Sequence, residues 1–213
     1  MNVADVVSIT LLTLRVSSVA TLILLPIGAS LGYLLARRRF RGRALLQAAV
    51  AVPMVLPPVA VGLGLLLALA ALELPLVFTW WAAVLAACTV SLPLLVRACE
   101  QAFADVDPRF EQVARSLGLG PLSTFLRVSL PLARRGVLYG ALLAFTRALG
   151  EFGATTVVAG LIPGRTETLA LGIYSRVQIG DTEGALALCA ASFALALGAM
   201  WIAEGWLRRG RSS

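Results

Sequence analysis

Residues 107–131 read DPRFEQVARSLGLGPLSTFLRVSLP, and this stretch decides how the whole chain is interpreted. Its first nine residues carry four charges, although long apolar runs lie on both sides of it. Asp107 is a favourable N-cap, Pro108 suits the first helical position, and Gly118 suits the position just after a last helical turn. The 107–131 segment is therefore predicted to begin with a short, capped helix.

Apolar residues recur at helical spacing in this short helix and form one stripe, made of Phe110, Val113, Ala114 and Leu117. The opposite side is predicted to carry Arg109, Glu111, Gln112 and Arg115. A second helix is predicted to start at Gly120–Pro121 and to be broken by Pro131, with one face made of Leu122, Phe125 and Leu126. Such a pair of helices either lies flat on the membrane surface or docks against a partner protein, and its length and paired caps favour docking.

The composition is that of a polytopic membrane protein. Of 213 residues, 59% are hydrophobic and 14% are charged, and the mean hydropathy is +0.90. The chain lacks Lys, which excludes a P-loop, and it lacks His, the commonest residue of acid–base and metal sites. The three cysteines have no CxxC spacing and are interpreted as buried small residues.

Five segments are apolar and long enough to cross a bilayer, so the predicted fold is an all-α membrane protein with five transmembrane helices in one domain, residues 1–213. The predicted spans are Val16–Ala36, Ala44–Ala71, Val77–Val96, Gly136–Gly160 and Ala185–Leu207. Span two contains Pro53, Pro57 and Pro58, which predict a kink or a break.

The arginines alternate in density between the two sides of the predicted spans. They crowd the first loop, the loop at about residues 98–135 and the carboxyl terminus, whereas the other side has only Arg15, Arg165 and Arg176. By the positive-inside rule, the amino terminus is outside and the carboxyl terminus is cytoplasmic. The 107–131 segment is then cytoplasmic.

Two opposite charges, Arg147 and Glu151, lie one helical turn apart inside predicted span four. Charges at that depth are costly unless they are paired or solvated, so they mark a candidate site. A pair that only neutralises itself and packs the bundle is an equally open interpretation.

The 107–131 segment resembles the "EAA" loop of ABC-transporter permeases, Glu-Ala-Ala, three residues, Gly, nine residues, Ile-x-Leu-Pro. Here the pattern reads Gln112-Val113-Ala114, then Gly118, then Val128-Ser129-Leu130-Pro131, with both spacings kept. Glu111 lies one position before the usual acid. The resemblance implies that this loop couples the permease to an ATPase through Phe110, Glu111, Val113, Ala114, Leu117, Gly118, Leu130 and Pro131. Because Glu111 is predicted on the side away from the stripe, we expect it to pair with a basic residue at the rim of the groove on that ATPase.

The stretch RALGEFGATTVVAGLIPGRTETLALGIY, residues 147–174, resembles the molybdate/tungstate branch of these permeases. The matching residues are Gly150 to Ala154, followed by Ile162, Pro163, Gly164, Thr166, Thr168, Leu169, Ile173 and Tyr174. Sulfate permeases share part of this pattern, so sulfate or thiosulfate remains an alternative cargo. The expected translocation pathway or gate consists of Arg147, Glu151, Phe152, Gly153 and Thr155.

The resemblance implies a type I ABC importer permease in the bacterial inner membrane. Two copies of the chain would contact membrane lipid and bind two ATP-binding cassette subunits and an extracytoplasmic oxyanion-binding protein. The chain would be no enzyme and would bind no cofactor, because ATP acts on the partner subunit. No nucleic acid is expected as a partner, because the arginines lie beside apolar spans. The alternative from another class is an ATP-independent channel or secondary transporter that uses Arg147 and Glu151 as its ion site.

Overall fold

A computed structural model describes residues 2–209, which form helices and connecting loops without a strand. The helices are α1 (Val3–Arg37), α2 (Arg43–Val55), α3 (Pro58–Ala71), α4 (Trp80–Ala104), α5 (Pro108–Ser116), α6 (Pro121–Thr124), α7 (Leu130–Leu149), α8 (Gly153–Val158), α9 (Leu169–Gln178) and α10 (Thr182–Arg209). A π-helical turn, Phe125–Ser129, joins α6 to α7. The all-α prediction is confirmed.

Within residues 2–209, four helices are individually long and apolar enough to cross a membrane. Counting the bent pair of α2 and α3 as one further span gives up to five. Three predicted spans were placed correctly but drawn too short. The first is 35 residues long and begins at Val3, the third continues to Ala104, and the fifth begins at Thr182. Hydropathy detects the apolar middle of such helices, and single charged residues such as Arg15 in α1 and Arg97 in α4 end the apolar window although the helix continues past them.

The centre of the molecule is the packing of α1 and α7 on either side of α4. Small residues allow these helices to approach closely. A Cβ atom at Gly32 of α1 would lie 2.5 Å from the Cβ of Cys99, and one at Gly140 of α7 would lie 2.8 Å from the Cβ of Ala98. Close backbone approach through small residues is a common way for membrane helices to associate. Among the candidate spans of the described residues, α4 is the most buried, and Leu95 is fully inside.

The predicted break in span two is confirmed. Helix α2 ends at Val55, α3 begins at Pro58, and the two axes differ by 113°. Pro58 has no N–H to continue the ladder of α2, and Pro57 biases its predecessor away from the helical conformation. Every residue of α2 is exposed or half-buried.

Predicted span four, Gly136–Gly160, is wrong in both of its bounds. The apolar helix runs over Pro121–Leu149, and Gly150 is its C-cap. The separate short helix α8 begins at Gly153. Pro131 does not break the apolar helix. Pro131 lies in the first turn of α7, directly after the π-helical turn, in which Leu130 N–H bonds to the Phe125 carbonyl, five residues back.

The cysteines fit the prediction except for one. Cys88 and Cys99 are buried in α4, but Cys189 is exposed on α10. The sequence of α10 is so uniformly apolar that it does not indicate which side of the helix faces the bundle.

Candidate functional site

The caps of α5 are those predicted from its sequence. The Asp107 carboxylate accepts a hydrogen bond from Arg109 N–H at 2.9 Å, and Pro108 occupies the first turn. At the other end Gly118 has φ +85°. Its N–H bonds to the Arg115 carbonyl, while Leu119 N–H bonds to the Ala114 carbonyl, the two bonds of a Schellman motif. Local chemistry alone thus sets where α5 begins and ends.

The predicted apolar stripe of α5 is exposed along most of its length. Phe110, Val113 and Leu117 are 55%, 58% and 75% exposed, respectively. They line an open groove of about 580 Å³ whose far wall includes Leu119 and Val128. Ala114 is the exception, because it is buried at the floor of this groove and cannot present a face of its own to a partner.

The placement of Glu111 corrects the sequence interpretation. It was expected on the open side of α5, available to a basic residue of a partner, but it is only 5% exposed. Its Oε1 accepts hydrogen bonds from Arg37 Nε and Ser129 Oγ, both at 2.8 Å. Its Oε2 accepts one from the Tyr33 hydroxyl at 3.2 Å. Glu111 is therefore already paired within its own chain.

The partners of Glu111 come from elements distant in sequence. Tyr33 and Arg37 lie in the last turns of α1, and Ser129 lies in the π-helical turn before α7. Arg37 also donates to the Val106 carbonyl at 2.6 Å. Arg115 lies farther from Glu111, at 3.7 Å, and is half exposed. Removing one member of the buried Arg37–Glu111 pair would strand the other charge at a cost of about 3–5 kcal/mol.

Sequence reasoning missed Tyr33, Arg37 and Ser129. Arg37 was interpreted only as part of the charge asymmetry that orients the chain. The available signal was Glu111 itself, an acid one position before the usual one, on the side of α5 away from the apolar stripe.

The two remaining residues of the expected coupling set, Leu130 and Pro131, lie at the start of α7. Leu130 is half-buried and packs against the core, while Pro131 is exposed in the first turn. Leu130 anchors the end of the 107–131 segment to the core, and neither residue lines the groove.

The predicted Arg147–Glu151 pair is present, but it lies at a helix break. Arg147 is in the last turn of α7, and its Nη1 is 3.0 Å from Glu151 Oε2. Glu151 is 3% exposed, and its Oε1 accepts a hydrogen bond from Ala154 N–H at 2.8 Å. The carboxylate thus neutralises Arg147 and caps the amino end of α8.

The other three residues of the expected pathway set also lie at this break. Phe152 is half-buried, with its ring 4.9 Å from that of Tyr174. Gly153 and Thr155 are buried. A Cβ atom at Gly153 would lie 2.7 Å from Pro58 Cβ, so α8 packs tightly on the beginning of α3. The structure brings all five residues together, with Arg147 the most accessible charge, its side chain 34% exposed.

Comparison with known proteins gives the family. Residues 25–210 match the model of the "Binding-protein-dependent transport system inner membrane component" family. The chain is 43% identical to the molybdenum transport system permease protein ModB of Escherichia coli strain K12, over 93% of this chain and 92% of that protein. It is 36% identical to the putative molybdenum transport system permease protein YvgM of Bacillus subtilis strain 168, over 80% of each.

The fold of the chain is also found in a solved structure. A solved structure of the MetNI methionine ABC transporter matches with a TM-score of 0.81 over 98% of this chain and 99% of that one, at 18% sequence identity. At this identity the likeness is one of overall fold. With a family match that extends over most of its residues and a fold that agrees, this chain belongs to the binding-protein-dependent transport system inner membrane components, as a multi-pass permease.

Proposed function

We propose that this chain is the membrane-spanning subunit of an ATP-driven importer for molybdate or tungstate. Its sequence is 43% identical to a molybdenum transport permease over nearly the whole length of both, and this is the observation that carries the cargo assignment. The residues of the Gly-Glu-Phe-Gly-Ala pattern, which resembles the molybdate branch, form the break between α7 and α8.

The proposed docking surface for the ATPase is the exposed apolar stripe of α5, which lines the groove. Phe110, Val113 and Leu117 are exposed there, and the proposed orientation places them on the cytoplasmic side of the membrane. An amphipathic helix of this kind typically enters an apolar groove on a partner. ATP would then be bound and hydrolysed by the partner subunit, and this chain would itself need no cofactor and carry out no covalent chemistry.

We infer an assembly of two copies of this chain with two ATP-binding cassette subunits and an extracytoplasmic oxyanion-binding protein. The family description itself names a binding protein. The bent α2–α3 pair offers a broad apolar face, including Leu45, Val55, Val59 and Leu67, for lipid and the second copy to cover.

The proposed orientation places the 107–131 segment in the cytoplasm. A reporter fused after Ser213 should be active only in the cytoplasm, and one inserted beside Gly164, in the turn between α8 and α9, only outside. Activity of both fusions on one side of the membrane would contradict the orientation and the five-span arrangement together.

The proposed role of Arg147 is to face the oxyanion as it passes the α7–α8 break. Arg147→Gln alone should lower membrane abundance, because it leaves the buried Glu151 carboxylate without a counterion. The matched double variant, Arg147→Gln with Glu151→Gln, has no unpaired charge, and its amide oxygen can still cap α8 at Ala154. We expect the double variant to recover abundance while its molybdate uptake per inserted copy stays down by about tenfold.

Quantitative immunoblotting of membranes and uptake of radiolabelled molybdate measure the two quantities separately. Should uptake per copy return to the wild-type level in the double variant, the pair serves only to pack the bundle.

The experiment that tests the function is purification of the tagged chain in mild detergent, followed by reconstitution of whatever copurifies. An ATPase with a P-loop and an oxyanion-binding protein are the expected companions, and the reconstituted vesicles should accumulate molybdate only with ATP. Excess tungstate should compete, and excess sulfate should not. Competition by sulfate at similar concentration would favour a sulfate permease, and uptake without ATP would favour the channel or secondary transporter.

A further inference from the structure

The Glu111 carboxylate lies where α5, the end of α1 and the π-helical turn before α7 meet. It is held by α1 through Tyr33 and Arg37, and by the beginning of the α7 span through Ser129. We infer that Glu111 is a positioning residue that fastens α5 to the core, so that α5, α1, α4 and α7 move as one body when the ATPase moves α5. This inference rests on the proposed function, and it assigns to Glu111 a role inside its own chain.

The two sides of α5 are divided between the two tasks. The stripe formed by Phe110, Val113 and Leu117 is exposed and free to bind a partner. Glu111 is buried on the inward side, and the side chains of both Arg37 and Glu111 are at most 10% exposed. A partner pressing on the stripe therefore pushes against a buried ion pair, whose loss is costly.

Aromatic packing directly beside the ion pair makes the junction stiff. The ring of Tyr33 lies 5.3 Å from that of Phe103 and 4.8 Å from that of Phe125. Phe103 is fully buried near the end of α4, and Phe125 is in the π-helical turn. One side chain, Tyr33, thus contacts the carboxylate and both neighbouring elements.

Arg37 extends the same connection to the end of α4. Besides Glu111 it binds the Val106 carbonyl, in the short link between α4 and α5. Arg37 of α1 thus holds this link in place. A displacement of α5 is therefore passed to three spans without an intervening loose loop. By contrast, α2 is joined to α4 at this end by the more exposed contacts of Arg43 and Gln47 with Glu100.

We expect Glu111→Gln to uncouple ATP hydrolysis from molybdate transport while the ATPase stays bound. Glu111→Gln keeps the size of the side chain but removes the charge that pairs with Arg37, while the exposed stripe is unchanged. ATPase retention should therefore stay near the wild-type level. Molybdate transported per ATP hydrolysed should fall by about fivefold, within the range by which changes in a transmission network alter coupling.

The experiment uses the whole complex in proteoliposomes and measures three quantities for each variant: ATPase copurified per permease, ATP hydrolysed, and molybdate taken up. The variants are Glu111→Gln, Arg37→Gln and the double variant. If the two residues act as one unit, the double variant should be no worse than the more severe single variant. A milder variant, Tyr33→Phe with Ser129→Ala, removes two hydrogen bonds while retaining the rings and the ion pair. It should lower the ratio of molybdate transported to ATP hydrolysed by about twofold.

Glu100→Gln is the matched control, because it breaks the Arg43–Glu100 pair by the same substitution at the same end of the molecule. It should leave the transported-to-hydrolysed ratio unchanged. The inference is overturned if Glu111→Gln and the milder variant both keep the wild-type ratio, or if they lose the ATPase itself, which would make Glu111 part of the docking surface. Failure of the proposed function would show differently, as wild-type vesicles that take up no molybdate with ATP.

Discussion

Gly118→Val should abolish most ATP-driven uptake while leaving the permease inserted in the membrane. Gly118 has φ +85°, a conformation that costs a side-chain-bearing residue about 1–2 kcal/mol, and more when the side chain is β-branched. Relief of that strain would break the Schellman bonds at the end of α5 and rotate the exposed stripe out of line with the second helix. A cost of this size lowers the population of the docking-competent form by about tenfold.

The effect should arise from backbone conformation and not from crowding. Among the described residues, a Cβ at Gly118 would meet no heavy atom within 4 Å apart from its chain neighbours. Gly120→Val is the matched control, because the same side chain is added two residues later, where φ is −69° and space is also open. Gly118→Asn should be intermediate, since Asn tolerates positive φ better than Val.

The measurements are ATPase copurification and molybdate uptake, both normalised to permease in the membrane. If Gly118→Val and Gly120→Val behave alike on both measures, the turn after α5 does not orient a docking surface.

Gly62→Val should destabilise the permease itself, because it forces α3 away from α8. A Cβ at Gly62 would lie 2.7 Å from the carbonyl oxygen of Ala154 and 2.8 Å from its Cα. These are backbone atoms, which cannot rotate aside as a flexible side chain could. Overpacking of this kind costs about 1–3 kcal/mol. The clash also displaces Ala154, whose N–H donates a hydrogen bond to Glu151, so the Arg147–Glu151 pair should be disturbed with it.

Gly64→Val provides the comparison on the same helix. Within the described part of the chain, a Cβ at Gly64 would have open space for 4 Å. Thermal stability of the detergent-solubilised protein and membrane abundance should both fall for Gly62→Val and stay near wild type for Gly64→Val. Equal losses in both variants would contradict the tight α3–α8 contact.

Much of this structure could be predicted from short stretches of sequence. The caps of α5 are an example, because Asp107, Pro108 and Gly118 act within one nine-residue helix and need no distant partner. The break in span two is another, since prolines remove their own backbone donors wherever they occur. The Arg147–Glu151 pair was also foreseen, because its members lie within one turn of each other.

The break after α7 was not predictable in the same way. Apolar runs lie on both sides of the stretch from Arg147 to Glu151, so hydropathy describes one continuous span in spite of these two charges. The chain ends α7 there because Glu151 can both neutralise Arg147 and cap α8, and because Gly153 lets α8 pack against Pro58. The contact with Pro58 spans almost a hundred positions, which no local pattern can reveal.

The sequence by itself determined the membrane class, the α5 helix with its caps, and the apolar stripe, because each depends on composition or on neighbours within a few residues. Only the tertiary structure decided which way Glu111 faces. On an isolated α5 its carboxylate would remain in water. In the folded chain Arg37, 74 positions away, and Ser129 enclose it, because burying a charge is favourable only where an opposite charge and hydrogen-bond donors meet it.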